Sequence, residues 1–460
     1  MKKLLLVLLL LVTAGSVFAA ELKVTGDMMV RGNMDSLTPD GGDTVSASYF
    51  DYDLNIFGAL VANENATVFT KLTYDKNVKG SGVVADSDNT SVLSVERAYL
   101  NYKFAPFAQL NTGLMGGGQW ASSFGDTEIN VMRVQAIGAL SADMVFIATY
   151  EKQSEAGDMD IKDAEKSDKT VYYLASRMKF GPVTVLPLLT YATQGVNYDG
   201  ALAALGITKT YDANVKAFTL GLNGDFGMIG FEAEGVYKKL DGDGFYDDNY
   251  AAILAADTTA NNTIAAAEGQ LALPANAPGT AGFATYSALL DYATEGAAKT
   301  GAALTAAEAL KDSTTYGFYA NLFAKVDPAK VGFAVAYGSS DAKDGSYSWG
   351  GDFDFTQVVD DIYSAQLSGT DGLSGYTAYK LYADVTVDKI SGGIAGIYGA
   401  ATDKDVQGDV SFWEVDLSAG YAFDANAAYA VNFGYASIED GDASTTTTAW
   451  NLTHKFSVKF

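Results

Sequence analysis

Beyond its first twenty residues the chain holds four arginines, Arg31, Arg97, Arg133 and Arg177. Each sits in a stretch where polar and apolar residues alternate, and each takes a polar position. Five acids take polar positions further along, at Glu232, Glu234, Asp384, Glu414 and Asp416. Asp27, Asp51 and Asp53 add acids to the early stretches, so the separation of sign is partial. Fixed charges of opposite sign facing each other set up a transverse field; the same residues can also do no more than hydrate a wet wall. The stretch DGDGFYDDNY brings Asp241, Asp243, Asp247 and Asp248 close together, and hard oxygen donors suit calcium. The twelfth position from Asp241 is Ala252, not an acid, so no EF-hand is present. A surface Ca²⁺ site and a merely hydrated acidic loop both remain open.

Enzymatic chemistry finds little support. The one histidine, His454, shares its parity with Trp450, Leu452 and Phe456, on an apolar face. With no cysteine there is neither a thiol nucleophile nor a disulfide. No phosphate-binding loop occurs, and no pair of carboxylates stands out. The expectation is that the protein is not an enzyme.

The elements that must position these residues repeat every two residues. In FDYDLNIFG, Phe50, Tyr52, Leu54 and Ile56 oppose Asp51, Asp53 and Asn55; in WEVDLSAGY, Trp413, Val415 and Leu417 oppose Glu414, Asp416 and Ser418. Such alternation marks strands with one apolar and one polar face. Eighteen strands can be read, with sixteen as the neighbouring count, and their length of about nine to fourteen residues suits a tilted crossing of a bilayer. Connections alternate between short turns, as at Ala105–Pro106 and Gly181–Pro182, and long loops. Of the prolines, Pro187 alone falls inside a strand, which calls for a bulge there or a strand boundary set elsewhere.

The opening MKKLLLVLLLLVTAGSVFAA reads as an export signal over residues 1–19, with Lys2 and Lys3 before an apolar run and Val17-Phe18-Ala19 as the cleavage site. Residues 20–460 then form one barrel domain. With 30 basic against 56 acidic residues, the net charge of −26 excludes nucleic acid as a partner and favours cations. At the other end, Trp450, Leu452, Phe456, Val458 and Phe460 lie on one face of a last strand that stays apolar to its final residue.

On these features, and on the strand–turn–strand pattern of Ala98–Gly113, the chain resembles the Gram-negative outer-membrane porins. The resemblance implies an all-β transmembrane barrel, an assembly signal at the Trp450–Phe460 strand read by the outer-membrane assembly machinery, and a homotrimer in outer-membrane lipid. It also implies an external loop folded inward. The candidate is the segment holding Gly116, Gly117, Gly118, Trp120, Asp126 and Glu128, its glycines supplying tight turns. An Ala-rich segment over 241–313, with a capping box at Thr305 and Glu308, predicts a partly helical external loop that covers the mouth, enters the lumen or binds a partner. The expected function is a water-filled channel for passive diffusion of ions and small hydrophilic solutes, cation-preferring. Two alternatives stand beside it: a structural or adhesive barrel, and a substrate-specific channel.

Overall fold

The computed structural model describes residues 21–79, 92–117, 119–122, 124–125, 128–154, 169–196, 211–242, 253–254, 258, 261, 311–351, 353–359 and 373–460. The export signal, most of the 241–313 segment, Gly118, Asp126, Asp243, Asp247 and Asp248 lie outside the described residues. The first strands are β1 (Glu21–Thr38), β2 (Val45–Val61), β3 (Ala66–Lys79), β4 (Val92–Ala105), β5 (Ala108–Gly117), β6 (Ile129–Ser141) and β7 (Met144–Ser154). There follow β8 (Lys169–Phe180), β9 (Val183–Val196), β10 (Tyr211–Asp225), β11 (Ile229–Asp241), β12 (Ser313–Val326) and β13 (Ala329–Gly338). A small hairpin of β14 (Ser340–Asp341) and β15 (Gly345–Ser346) precedes β16 (Tyr376–Val387), β17 (Ile390–Ala401), β18 (Val410–Ala422), β19 (Ala427–Asp440) and β20 (Thr445–Lys459).

Eighteen of these strands form one antiparallel sheet, each paired with its neighbours along the chain, and β1 closes the sheet against β20. Closure removes the exposed edges that a sheet otherwise presents. At the seam the Gly26 amide donates to the Phe460 carbonyl at 2.8 Å and the Phe460 amide to the Gly26 carbonyl at 2.9 Å. The Phe460 ring lies over Gly26, where an added Cβ would come within 2.5 Å of it. The final aromatic residue therefore completes the ladder. Short turns gather at the end that holds both seam residues, and the long connections at the other.

The outer face is a continuous apolar belt. Leu174, Leu189, Phe218, Tyr237 and Tyr316 stand in one row across β8 to β12, every one exposed. Leu322, Phe333 and Leu381 continue it on β12, β13 and β16. Contiguous apolar surface of this extent is not sustained in water and suits hydrocarbon. Among the described residues no helix is long and apolar enough to cross a membrane. His454 belongs to the outer face, edge-on to Phe50 at 5.8 Å.

Neither a bulge nor a strand boundary falls at Pro187, which lies within β9. Pairing between β8 and β9 passes from Ala175↔Leu188 to Met178↔Val185, so the ladder resumes in the same register with no extra residue. Instead a bulge falls in β4, where the partners of β3 skip from Arg97 to Val95. Glu96 is the additional residue, and both it and Arg97 reach the inside.

Candidate functional site: a lumen narrowed by two pinned loops

The inner wall from β1 to β7 is a network of paired polar groups. Arg31 Nε donates to Asp51 at 2.7 Å, and Asn33 donates to the other oxygen of the same carboxylate at 2.8 Å. Lys71 pairs with Glu96 at 2.6 Å. Arg97 pairs with Glu128, and Arg133 with Glu151, whose side chain is wholly buried. Between these ions runs a neutral row in which Asn101 donates to Asn111 at 2.6 Å and Asn111 to Gln135 at 3.1 Å. Arg177 holds the inward parity on β8 in the register just described.

Sequence parity opposed a basic patch to an acidic one. The geometry instead pairs Arg31, Arg97 and Arg133 with acids on their own wall, which weakens any field across the bore. Parity could not show this, because the acids concerned come from a neighbouring strand, a bulge and a loop.

Gly116 and Gly117 also differ from expectation. They end β5 and form no turn. An added Cβ at Gly117 would meet the Arg133 guanidinium, and one at Gly116 would lie 2.7 Å from the Arg97 Cζ. These glycines make room for two flat cations. Arg133 Nη1 donates to the Gly116 carbonyl at 3.1 Å.

Two loops enter the bore. The first follows β5. Trp120 Nε1 donates to the Leu186 carbonyl on β9 at 3.0 Å, fastening the loop across the lumen. Ser122 donates to Glu234 Oε2 through its amide at 2.8 Å and its hydroxyl at 2.6 Å, and the Gly125 amide reaches Glu234 Oε1 at 3.3 Å. The second loop lies between β13 and β16. Three successive amides, of Gln357, Val358 and Val359, donate to Glu414 at 2.5, 2.8 and 3.0 Å. Gln357 extends to Asn451 on β20 at 3.2 Å, and Lys380 Nζ donates to the Phe355 carbonyl at 2.8 Å. A carboxylate collecting several backbone N–H groups is a strong, charge-assisted anchor. Glu234 and Glu414 therefore face inward, as parity required, yet each lies under a loop and only 1% of its surface is exposed. Neither borders the open passage.

The two loops are joined to each other. Phe124 is fully buried among Tyr319, Tyr347, Trp349 and Phe353, with ring centroids 5.0 to 6.2 Å away. The Gly350 amide donates to the Phe124 carbonyl at 2.8 Å. This aromatic cluster continues onto the inner wall through Tyr376, Ala378, Phe412, Ala436 and Ile438. The bore thus contains a small hydrophobic core built against β12 to β19, and water is confined to what remains.

Spaces remain beside it among the described residues. One of about 700 Å³ lies between the second loop and the wall of β1, β2, β19 and β20, bordered by Arg31, Lys380, Lys455, Asp51, Asp354 and Asp416. A second of about 320 Å³ shares Asp354, Gln357, Lys380 and Asp416 with it and adds Asp384. A third of about 310 Å³ lies beside Gly125, Val236 and Lys238. Glu232 pairs across to Asn321 on the inner wall. The calcium suggestion has Asp241 alone among the described residues, and no cluster of three or more potential metal ligands occurs among those residues.

The arrangement is a closed, membrane-spanning barrel of eighteen strands whose bore is narrowed from within. Solved structures share its fold. Pseudomonas aeruginosa OccK2 (OpdF) aligns over 95% of this chain and 98% of its own, with a TM-score of 0.55 and 12% identity. Acinetobacter baumannii OccAB4 aligns over 95% and 98%, with a TM-score of 0.50 and 9% identity. Pseudomonas aeruginosa OpdK, solved with vanillate, aligns over 95% and 99%, with a TM-score of 0.50 and 11% identity. No family model and no curated protein matches the sequence. At such low identity the likeness establishes the fold, which is that of the outer-membrane porins.

Proposed function

We propose that the protein is a solute-selective channel of the Gram-negative-type outer membrane. The observation that carries this reading is the pair of inward loops, each anchored on a buried carboxylate, with open polar chambers left beside them. A barrel of this strand number leaves a wide bore when empty; fastening two loops across it restricts passage to solutes that fit the remaining wall. OpdK was solved with vanillate, and a small polar solute of similar size is the scale of cargo that these chambers suit. Passive, cation-preferring diffusion is the second reading, favoured by the net charge of −26. We further assign Trp450–Phe460 as the strand read by the assembly machinery and a homotrimer as the working state, on the resemblance to porins.

The test is purified protein in planar bilayers. A selective channel gives small conductance and a current that one class of solute blocks saturably. A diffusion pore gives large conductance, no saturable block and a reversal potential set by cations. No conductance removes both readings and leaves an adhesive or structural barrel.

A further inference from the structure

The chamber of about 700 Å³ has an unusual balance of groups. Three cations border it, Arg31, Lys380 and Lys455, against four acids, Asp35, Asp51, Asp354 and Asp416. Most are already engaged. Arg31 and Asn33 hold Asp51, Asn451 donates to Asp35 at 2.7 Å, and Lys380 donates to the Phe355 carbonyl. Asp416 stands two residues from the buried Glu414 on the same face. Asp51 is neutralised by Arg31, but the partners of Asp35 and Lys380 are uncharged, so the wall keeps three cations against four acids, a formal excess of one negative charge. A monovalent anion therefore meets no excess of cations.

Neutral hydrogen-bonding groups fill the rest of the wall. Asn33, Asn451, Thr453, Thr356 and Gln357 surround Asn432, whose amide has no protein partner among the described residues. Asn432 lies opposite Thr453 and Ser418 on its neighbouring strands, so its amide is aimed at the same space. An amide offers two donors and an acceptor with two lone pairs. The matching ligand carries groups that both donate and accept, which is the chemistry of a hydroxyl. The adjoining chamber adds the half-buried ring of Tyr382, a surface against which the C–H face of a sugar ring can pack. A volume of about 700 Å³ falls within the roughly 300–1,000 Å³ of small-molecule sites.

We propose that this chamber is a subsite for an uncharged, polyhydroxylated solute, a small saccharide, with Asn432 as a direct hydrogen-bonding contact. The proposal rests on the channel reading for its physiological sense but not for its binding chemistry. It departs from an aromatic carboxylate such as vanillate, for which an excess of cationic side chains would be needed.

The full-length protein is inserted in planar bilayers and the ion current is titrated with maltose and, separately, with vanillate. Maltose is expected to block saturably. Asn432→Leu should weaken that block about fivefold, the loss of one hydrogen bond, with Asn432→Thr as the substitute if Leu impairs assembly. Lys455→Gln, which keeps a donor and removes the charge, should change the maltose block less than about twofold. Vanillate blocking more strongly than maltose, with its block lost in Lys455→Gln, overturns the proposal in favour of an anion site. Conduction without maltose block overturns it and leaves the channel standing. Saturation-transfer NMR of maltose with protein in amine-oxide micelles, which carry no sugar headgroup, separates the two claims. A maltose signal that falls in Asn432→Leu supports the subsite even without conductance, whereas no signal refutes it.

Discussion

Replacing Glu414 by Ala tests whether the second loop is pinned or merely packed. The substitution leaves the amides of Gln357, Val358 and Val359 without their acceptor. If the loop stayed in place, each orphaned buried donor would cost about 1–3 kcal/mol, or roughly 3–9 kcal/mol together. Against release stands the burial of Val358 and Val359, both fully covered, which contributes about 1.5–3 kcal/mol each, roughly 3–6 kcal/mol in all. Wild-type Glu414 itself bears a desolvation penalty, so the anchor's net worth lies towards the low end of its range. The two sums are comparable. The variant loop is therefore expected to divide its time between docked and released states, not to stay in either.

The assay is single-channel recording. Glu414→Ala should show a second, larger conductance level and frequent transitions between the two. Glu414→Gln keeps one acceptor oxygen but sets an N–H₂ against an N–H, and should lose about 1.5–3 kcal/mol, the worth of a charge-assisted bond, with rarer transitions. A Glu414→Ala channel whose conductance and noise match the wild type would refute the reasoning, because it would mean that the aromatic cluster holds the loop without the carboxylate.

Deleting Phe460 removes both backbone hydrogen bonds to Gly26 and should slow appearance of the folded, heat-modifiable form in the outer membrane; assembly at the normal rate would contradict the seam's role. Gly117→Val should force the Arg133 guanidinium from its place and break its pair with Glu151, read as a lower thermal midpoint than Gly138→Val, where a Cβ meets nothing within 4 Å. Phe456→Arg, on the outer face, should cost about 2–4 kcal/mol if near the midplane, whereas Asn432→Arg, on the chamber wall, should cost clearly less; equal costs in urea titrations would overturn the assignment of faces.

How much of this was legible in the sequence depends on which side chains carry the signal. The strands were legible because a barrel repeats one contrast eighteen times, lipid against water, and the contrast survives in Trp413, Val415 and Leu417 opposite Glu414 and Asp416. The interior loops were less so. The anchors on Glu234 and Glu414 are made by backbone N–H groups, which every residue but proline possesses, so the donor side leaves no trace in residue type. The bulge at Glu96 shifts parity by one and hides an inward acid on what counts as the apolar face. Yet one signal was present. Towards the loop end of β18, Phe412 and Trp413 are adjacent, so both faces of the strand are apolar; Ile394, Ala395 and Ile397 do the same on β17. A strand that faces lipid on one side and is apolar on the other must have something apolar covering its inside. The cover is supplied by Trp349, Phe353, Phe355, Val358 and Val359, an apolar run in a connection that, lying outside a membrane, would otherwise expose it to water. Loss of alternation at one end of several adjacent strands, together with an apolar long loop, is thus the sequence mark of a bore partly filled from within.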